Sequence, residues 1–165
     1  MTAALDAERF LAAQAPVWAA VRAELSAGTK RTHWMWFVFP QLRGLGRSPT
    51  AHHYGLADLE DAAHYLAHPV LSARLIEAAT LLLTHEGIPA TRVLGPVDAL
   101  KLRSSMTLFS RVRGAPNVFG RVLDAFHDDP CERTLALLEE AERPPGAPRR
   151  QGISSAGTPC RSRGS

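Results

Sequence analysis

Cysteine and long apolar runs are both scarce in this chain. Only two of its 165 residues are cysteine, Cys131 and Cys160, and their positions form no disulfide-framework spacing. The longest apolar run is far below the ~18 residues that a membrane helix needs. The first residues include no basic region of the kind that opens a secretory signal. We therefore expect a cytoplasmic protein with no membrane segment.

Several motifs that define enzyme classes are also missing. The chain has no P-loop, no Gly-x-Gly-x-x-Gly after a strand, no Gly-x-Ser-x-Gly elbow and no internal repeat. His64 and His68 have the i, i+4 spacing by which two imidazoles can reach one ion, but Tyr65 stands where a zinc protease motif would carry Glu. We predict no metal site, and we expect no cofactor.

The basic charge is concentrated at the C-terminal end. The sequence pI is about 9.3, which suggests an anionic partner. Residues 143–165 hold five arginines and no acid, which leaves 14 Lys and Arg against 16 Asp and Glu in residues 1–142, a net charge of −2. Because the folded part is mildly acidic, nucleic acid is an improbable partner. The basic segment itself, rich in Pro, Gly, Ser and Arg, is predicted to be a disordered tail.

Helical spacing of apolar residues extends over most of residues 5–142. Phe10, Trp18, Val21 and Leu25 follow it, with Pro16 predicted to break the helix near Gln14 and Ala15. Further helical segments are expected at residues 49–56, 58–67, 69–87, 98–112, 118–126 and 132–142, with a short turn at 91–94. Short joints between six or seven helices predict an all-α fold, a single compact domain over residues 5–142.

The most apolar stretch is residues 34–39, which hold two of the three Trp and two of the six Phe. A run of this length could be a buried strand or a short buried helix, since periodicity cannot distinguish them. We favour a helix because nothing else in the chain reads as a partner strand. Lys30, Arg31, His33, Gln41 and Arg43 flank the run, so polar groups meet the core here.

Four segments resemble a bacterial family known as domain of unknown function 1810. They are HWMWFVFPQLRGLG at residues 33–46, YG at 54–55, YLAHPVL at 65–71 and LRSSMTLF at 102–109. The resemblance covers roughly residues 9–140 and implies a single, mainly α-helical domain. It implies no activity, substrate or catalytic residue.

Two polar groups could form a binding pocket between residues 30–43 and residues 98–109. If the aromatic run packs beside the 98–112 helix, cations from both segments could bind one small anionic or nucleotide-like ligand, with Arg as a bidentate fork and nearby rings as stacking surfaces. The predicted ligand-binding residues are Gln14, Arg31, His33, Trp36, Gln41, Arg43, Lys101, Arg103, Ser104 and Ser105. Gln14 has a second interpretation, a buried amide satisfied by backbone carbonyls.

Whether the protein is an enzyme is left open by the sequence. Lys101, Ser104 and Ser105 fall on one helical face, and an apolar pocket could let the lysine act as a base toward a serine. His33 could serve as an acid or base near neutral pH. His33, Ser105 and Lys101 are therefore the catalytic candidates. The alternative function is a protein-interaction module in which the same basic and aromatic side chains contact a protein partner.

Overall fold

The computed structural model describes residues 5–143 and Gly146, which together form one compact all-helical domain. Within that part of the chain no strand forms, and Leu42 and Leu56 make an isolated parallel bridge. The predicted all-α fold is confirmed. The helices are α1 (Ala7–Gln14), α2 (Trp18–Ala27), α3 (Met35–Val38), α4 (Pro49–Tyr54), α5 (Leu59–Ala67), α6 (Pro69–Leu83), α7 (Ala90–Leu94), α8 (Pro96–Ser110), α9 (Val118–Phe126) and α10 (Glu132–Glu142).

Local signals set most helix boundaries. The Asp6 carboxylate caps α1, and Gly28 ends α2 in the left-handed conformation at φ 72°. The Ser48 side chain caps α4 ahead of Pro49, and the His68 side chain caps α6. The described residues form ten helices, more than the six or seven expected, because the break after Gln14 gives two helices and several segments are only one or two turns long.

The aromatic run forms α3, so the preference for a helix over a strand is confirmed. Trp34, Val38 and Phe39 are buried, whereas Trp36 and Phe37 are half-buried. The run therefore contributes one side to the core and presents the other to a partly open surface. This division places Trp36 close to residues that lie outside the core.

Helix α8 lies at the centre of the domain and packs against α5, α7, α9 and α10. Residues 104–109 are all buried, and Leu102, Met106 and Phe109 are fully inaccessible. Burying a side chain of this size stabilises the fold by about 1.5–3 kcal/mol. On the second side of the core, α6 packs against α1, α2, α5 and α9. The polar side chains of α8 are therefore fixed on a rigid element.

Two glycines shape the loop after α3 for different physical reasons. Gly44 has a φ of 102°, a backbone conformation that favours glycine. Gly46 is needed for space instead, because a Cβ built there would lie 2.4 Å from the Ala51 Cβ. The absence of a side chain at Gly46 therefore lets the 41–46 loop pack closely against α4.

No single helix in the described part of the chain is both long and apolar enough to span a membrane. Helices α5 and α6 reach that length and composition only as a pair, and they are bent by 97° at the junction. The predicted disordered tail, residues 143–165, lies outside the described residues except for Arg143 and Gly146.

Candidate functional site

The Glu24 carboxylate holds in place the loop that carries Lys30 and Arg31. It is buried and accepts hydrogen bonds from the backbone N–H of Arg31, the backbone N–H of Thr32 at 2.6 Å, the Thr32 hydroxyl at 2.7 Å and the Trp34 indole N–H at 3.2 Å. Burial alone would raise the pKa of Glu24, but these donors stabilise the carboxylate and hold its pKa below the usual range. Glu24 is thus fully engaged in structure.

Lys30 joins this loop to the start of α8. Its ammonium lies 2.8 Å from the Asp98 carboxylate, donates to the Thr32 carbonyl at 2.6 Å and sits 5.0 Å from the centre of the Trp34 ring. The side chain is only 7% exposed. The segments around residues 30 and 98 are therefore in contact, but the Lys30 ammonium is already paired with Asp98.

Gln14 has partners on every side within the protein. Its amide nitrogen donates to the Phe37 carbonyl at 2.7 Å and to the Tyr65 hydroxyl at 2.9 Å, and its oxygen accepts from Arg74 at 3.3 Å. Burial raises the pKa of the Tyr65 hydroxyl, which remains protonated. The amide lines none of the concavities described below, so its geometry matches the interpretation as a buried, internally satisfied group.

The remaining candidates from residues 31–43 are divided between the surface and a separate concavity. The Arg43 guanidinium donates to the carbonyls of His52 at 3.3 Å and Gly55 at 3.2 Å, which ties the loop after α3 to the end of α4. The Arg31 side chain is exposed. His33 and Trp36 line a shallow hollow together with Phe37, Pro49, Thr50, His53 and Tyr54.

Four of the predicted residues converge on one groove, which we name the α8–α10 groove. It has a volume of about 640 Å³, and Gln41, Lys101, Arg103 and Ser104 line it. The other lining residues are Leu45, Gly46, Val97, Leu100, Cys131, Glu132 and Arg133. The 41–46 loop, one face of α8 and the first residues of α10 therefore form its walls. Gln14, Arg31, His33, Trp36, Arg43 and Ser105 do not line it.

Three cations line the groove, and they differ in how strongly each is bound to other groups of the protein. Lys101 lies 3.5 Å from Asp98 and 4.3 Å from the centre of the Trp36 ring. Arg103 donates to the carbonyls of Asp129 at 2.7 Å and Pro130 at 3.0 Å, which fixes the guanidinium without neutralising it. Arg133 is exposed and pairs with no carboxylate among the described residues. Glu132 is the single acid in the lining.

Cys131 lies at the start of α10, and its thiol faces the groove. Burial would raise the pKa of this thiol, but the hydroxyls of Ser104 and Thr134 and the first amides of α10 stabilise the thiolate and together lower the pKa. The Ser104 hydroxyl lies 3.4 Å from the sulfur. The groove therefore contains a nucleophile that the sequence analysis did not select.

The serines adjoining Lys101 do not form a catalytic pair with it. The Ser104 hydroxyl lies 3.1 Å from the Leu100 carbonyl, the back-bonding geometry common in helices, so its one proton is shared between that carbonyl and the Cys131 sulfur. Ser105 is fully buried, and its hydroxyl has no hydrogen-bond partner among the residues that the structure describes. Over residues 5–143 no hydrogen bond joins Lys101 to either serine.

Of the pair His64 and His68, His68 has a structural role. The His68 ring nitrogen Nδ1 accepts from the backbone N–H of Val70 at 3.2 Å and of Leu71 at 3.4 Å. In the described part of the chain, no three His, Cys, Asp or Glu side chains are grouped so that they could hold a metal ion.

Three features of the groove were not anticipated from the sequence, and each had a weak local signal. Cys131 precedes a clear helical pattern, a position where a side chain can face the helix amides. Arg133 belongs to the first turn of the same helix. Val97 and Leu100 lie one turn apart on α8, away from the stripe formed by Leu102 and Met106.

The fold and the groove define a small all-helical domain with a basic, cysteine-containing surface cavity. Residues 4–138 match the family model described as protein of unknown function (DUF1810), and the chain belongs to this family. The crystal structure of the conserved hypothetical protein Rv1873 from Mycobacterium tuberculosis is similar, with a TM-score of 0.80 and 49% sequence identity. That match covers 82% of this chain and 97% of the other. No curated protein matches the chain.

Proposed function

We propose that this protein binds a small anionic molecule in the α8–α10 groove. One observation carries the proposal: Lys101, Arg103 and Arg133 line the same concavity, in which Glu132 is the single acid. A net positive lining favours an anion, and a guanidinium can bind a carboxylate or phosphate through two parallel hydrogen bonds.

The start of α10 adds to this preference. The first amides of a helix carry partial positive charge and attract anions. In this protein some of that charge already stabilises the Cys131 sulfur. An anion beside Cys131 would therefore lie near the start of α10, in the concavity that Arg103 and Arg133 also line.

The dimensions of the groove favour a small molecule over a macromolecular partner. Ligand pockets are typically about 300–1,000 Å³, and this groove, at about 640 Å³, lies within that range. A protein-interaction module is the alternative, and the exposure of Val97 and Leu100 favours it. Both side chains line the concavity, however, which supports a small ligand over a flat protein interface.

A nucleotide-like ligand would use the groove for its phosphate only. The stacking surfaces around Trp36 and Tyr54 belong to the separate hollow, and Lys101 already lies over the Trp36 ring. For turnover, the groove offers the Cys131 thiol, whereas His33 and Ser105 lie outside it. We further expect the protein to act in the cytoplasm, without nucleic acid or membrane as a partner.

Thermal unfolding in the presence of anions tests the proposal. Phosphate, citrate and AMP at millimolar concentrations are added to the full-length chain, with sodium chloride matched for ionic strength. A ligand at 100 times its Kd stabilises the folded state by about 2.7 kcal/mol, so at least one anion should raise the Tm. If none does so beyond the sodium chloride control, the proposal is wrong.

Matched variants locate the binding. Arg133→Gln removes a groove cation that has no structural partner among the described residues, and Arg92→Gln removes an exposed cation outside the groove. The Tm increase should shrink in Arg133→Gln and stay unchanged in Arg92→Gln. Equal increases in both variants would show that the anion binds elsewhere.

A further inference from the structure

The α8–α10 groove has an apolar wall that anion binding alone does not explain. Val97 is 64% exposed and Leu100 is 63% exposed, and both line the groove. Leu45, half-buried, belongs to the same lining. An exposed apolar patch inside a concavity with polar neighbours is the pattern of a binding surface.

The groove-facing side of α8 changes character along its length. Val97, Leu100, Lys101 and Ser104 follow the i, i+3, i+4, i+7 pattern of one helical face. The face is therefore apolar toward the start of α8 and polar toward Ser104. Across these seven steps a helix rises about 10 Å.

The polar end of this face is also where Arg103 and the Cys131 thiol lie. Arg103 is held there by the carbonyls of Asp129 and Pro130, and the Ser104 hydroxyl is 3.4 Å from the Cys131 sulfur. At the apolar end Val97 and Leu100 present hydrocarbon, and the Lys101 ammonium that lies near this end is paired with Asp98. A ligand that fills the groove along α8 would thus meet mainly carbon at one end and the Arg103 guanidinium at the other.

We infer that the ligand is an amphipathic monocarboxylate, an anion that carries a medium-length apolar chain. The chain would cover Val97, Leu100 and Leu45, and the carboxylate would reach Arg103 and Arg133. This inference rests on the proposed function, since it uses the same groove and the same cations. It adds the requirement that binding free energy come from apolar contact as well as from charge.

The discriminating experiment compares probes that differ in one property. Octanoate below its micellar concentration has both charge and chain, acetate has only the charge, and 1-octanol has only the chain. Isothermal titration calorimetry with the full-length protein should give a Kd for octanoate at least tenfold lower than for acetate or 1-octanol. Burial of several methylene groups accounts for such a ratio, at about 0.8 kcal/mol for each.

Substitutions in the apolar wall provide the matched test. Leu100→Ser should weaken octanoate binding about tenfold, because one apolar side chain no longer contacts the ligand. It should leave unchanged the Tm increase produced by whichever of phosphate, citrate and AMP stabilises the wild type. Val70→Ser is the control, because Val70 is 40% exposed on α6 and lies outside the groove lining.

A site-specific readout comes from the thiol. In a Cys160→Ser background, octanoate should slow the alkylation of Cys131 by iodoacetamide, and acetate at the same concentration should slow it less. If phosphate or acetate protects Cys131 and raises the Tm while octanoate does no better, the amphipathic ligand is ruled out and the anion site stands. If no probe binds, both proposals fall.

Discussion

The loop of residues 28–34 and the α8–α10 groove are both rich in polar and charged side chains, yet they use them in opposite ways. At the loop, the Glu24 carboxylate of α2 accepts four hydrogen bonds from loop residues. Lys30 is paired with Asp98, and its side chain is almost fully buried. In the groove, Arg133 has no carboxylate partner within residues 5–143, and two large apolar side chains are more than 60% exposed.

This difference separates polar groups that stabilise the fold from those that remain able to bind. Desolvating a charge is costly unless it gains partners, and the loop supplies them internally. In the groove, Arg133 has no carboxylate partner among the described residues and Arg103 is bound to two neutral carbonyls, so a ligand can replace water at both, although Lys101 is paired with Asp98. A basic cluster in a sequence therefore indicates a binding site only where some of its charges are not neutralised within the protein.

The largest loss of stability is expected from Glu24→Gln, which disrupts the hydrogen bonds between Glu24 and the loop. The amide keeps one acceptor oxygen but places a donor against the donors of Thr32 or Trp34. We expect a loss of about 3 kcal/mol in the free energy of unfolding, measured by urea denaturation, because hydrogen bonds to charged groups are worth about 1.5–3 kcal/mol. Glu86→Gln, at an exposed position without such contacts, is the control. Equal stability of the two variants would contradict the role assigned to Glu24.

A smaller loss of stability is expected from Arg103→Ala. Arg103 both stabilises the fold and lines the groove. Its guanidinium holds the carbonyls of Asp129 and Pro130, so removal should cost about 1.5 kcal/mol of unfolding free energy. Arg133→Ala should change stability by less than about 0.5 kcal/mol, while both variants should weaken anion binding. A large loss of stability in Arg133→Ala would show that the structure gives it a partner after all.

The Glu24 loop should also respond to acid in a defined direction. The pKa of Glu24 in the folded state lies below its ordinary value of 4.5, so the unfolded state binds the proton more readily. Its stabilisation is complete above about pH 5.5 and is lost as the pH falls through the folded-state pKa. The stability difference between wild type and Glu24→Gln should therefore narrow from pH 6 toward about pH 3. A difference that stays constant would rule out this linkage.

The smallest effect on stability, with a clear effect on reactivity, is expected from Ser104→Ala. Loss of the hydroxyl removes one of the groups that stabilise the Cys131 thiolate. The midpoint of the pH profile for iodoacetamide alkylation, followed by mass spectrometry in the Cys160→Ser background, should move to higher pH. Ser72→Ala, on the distant helix α6, is the control and should leave the profile in place. An unchanged midpoint in Ser104→Ala would show that the Ser104 hydroxyl does not contribute and that the α10 amides and Thr134 lower the pKa.

Part of the candidate site could be predicted from the sequence. Gln41, Lys101, Arg103 and Ser104 were predicted to bind a ligand, and they line one groove. Gln14, Arg31, His33, Trp36, Arg43 and Ser105 were predicted with them but lie elsewhere. Their residue types fit a polar site, whereas their actual partners, such as Phe37 and Tyr65 for Gln14, lie 23 and 51 residues away in the chain.

The sequence by itself determined the all-helical architecture and most of its boundaries. Pro16 and Gly28 act on their own backbone, Ser48 and His68 bond to amides two or three residues on, and apolar spacing of three and four selects the buried face. All of these effects operate within one or two helical turns, and so they can be read locally.

Only the tertiary structure decided which polar groups are available. The crossing of α8 with α10 brings Arg103 beside the Asp129 and Pro130 carbonyls and sets Cys131 against Ser104, while the packing of the loop before α3 encloses Lys30. These pairings depend on how rigid helices pack across sequence separations of 26 or 27 residues in the groove and 68 residues at Lys30. No local pattern encodes those angles and distances, because they follow from the packing of the whole core.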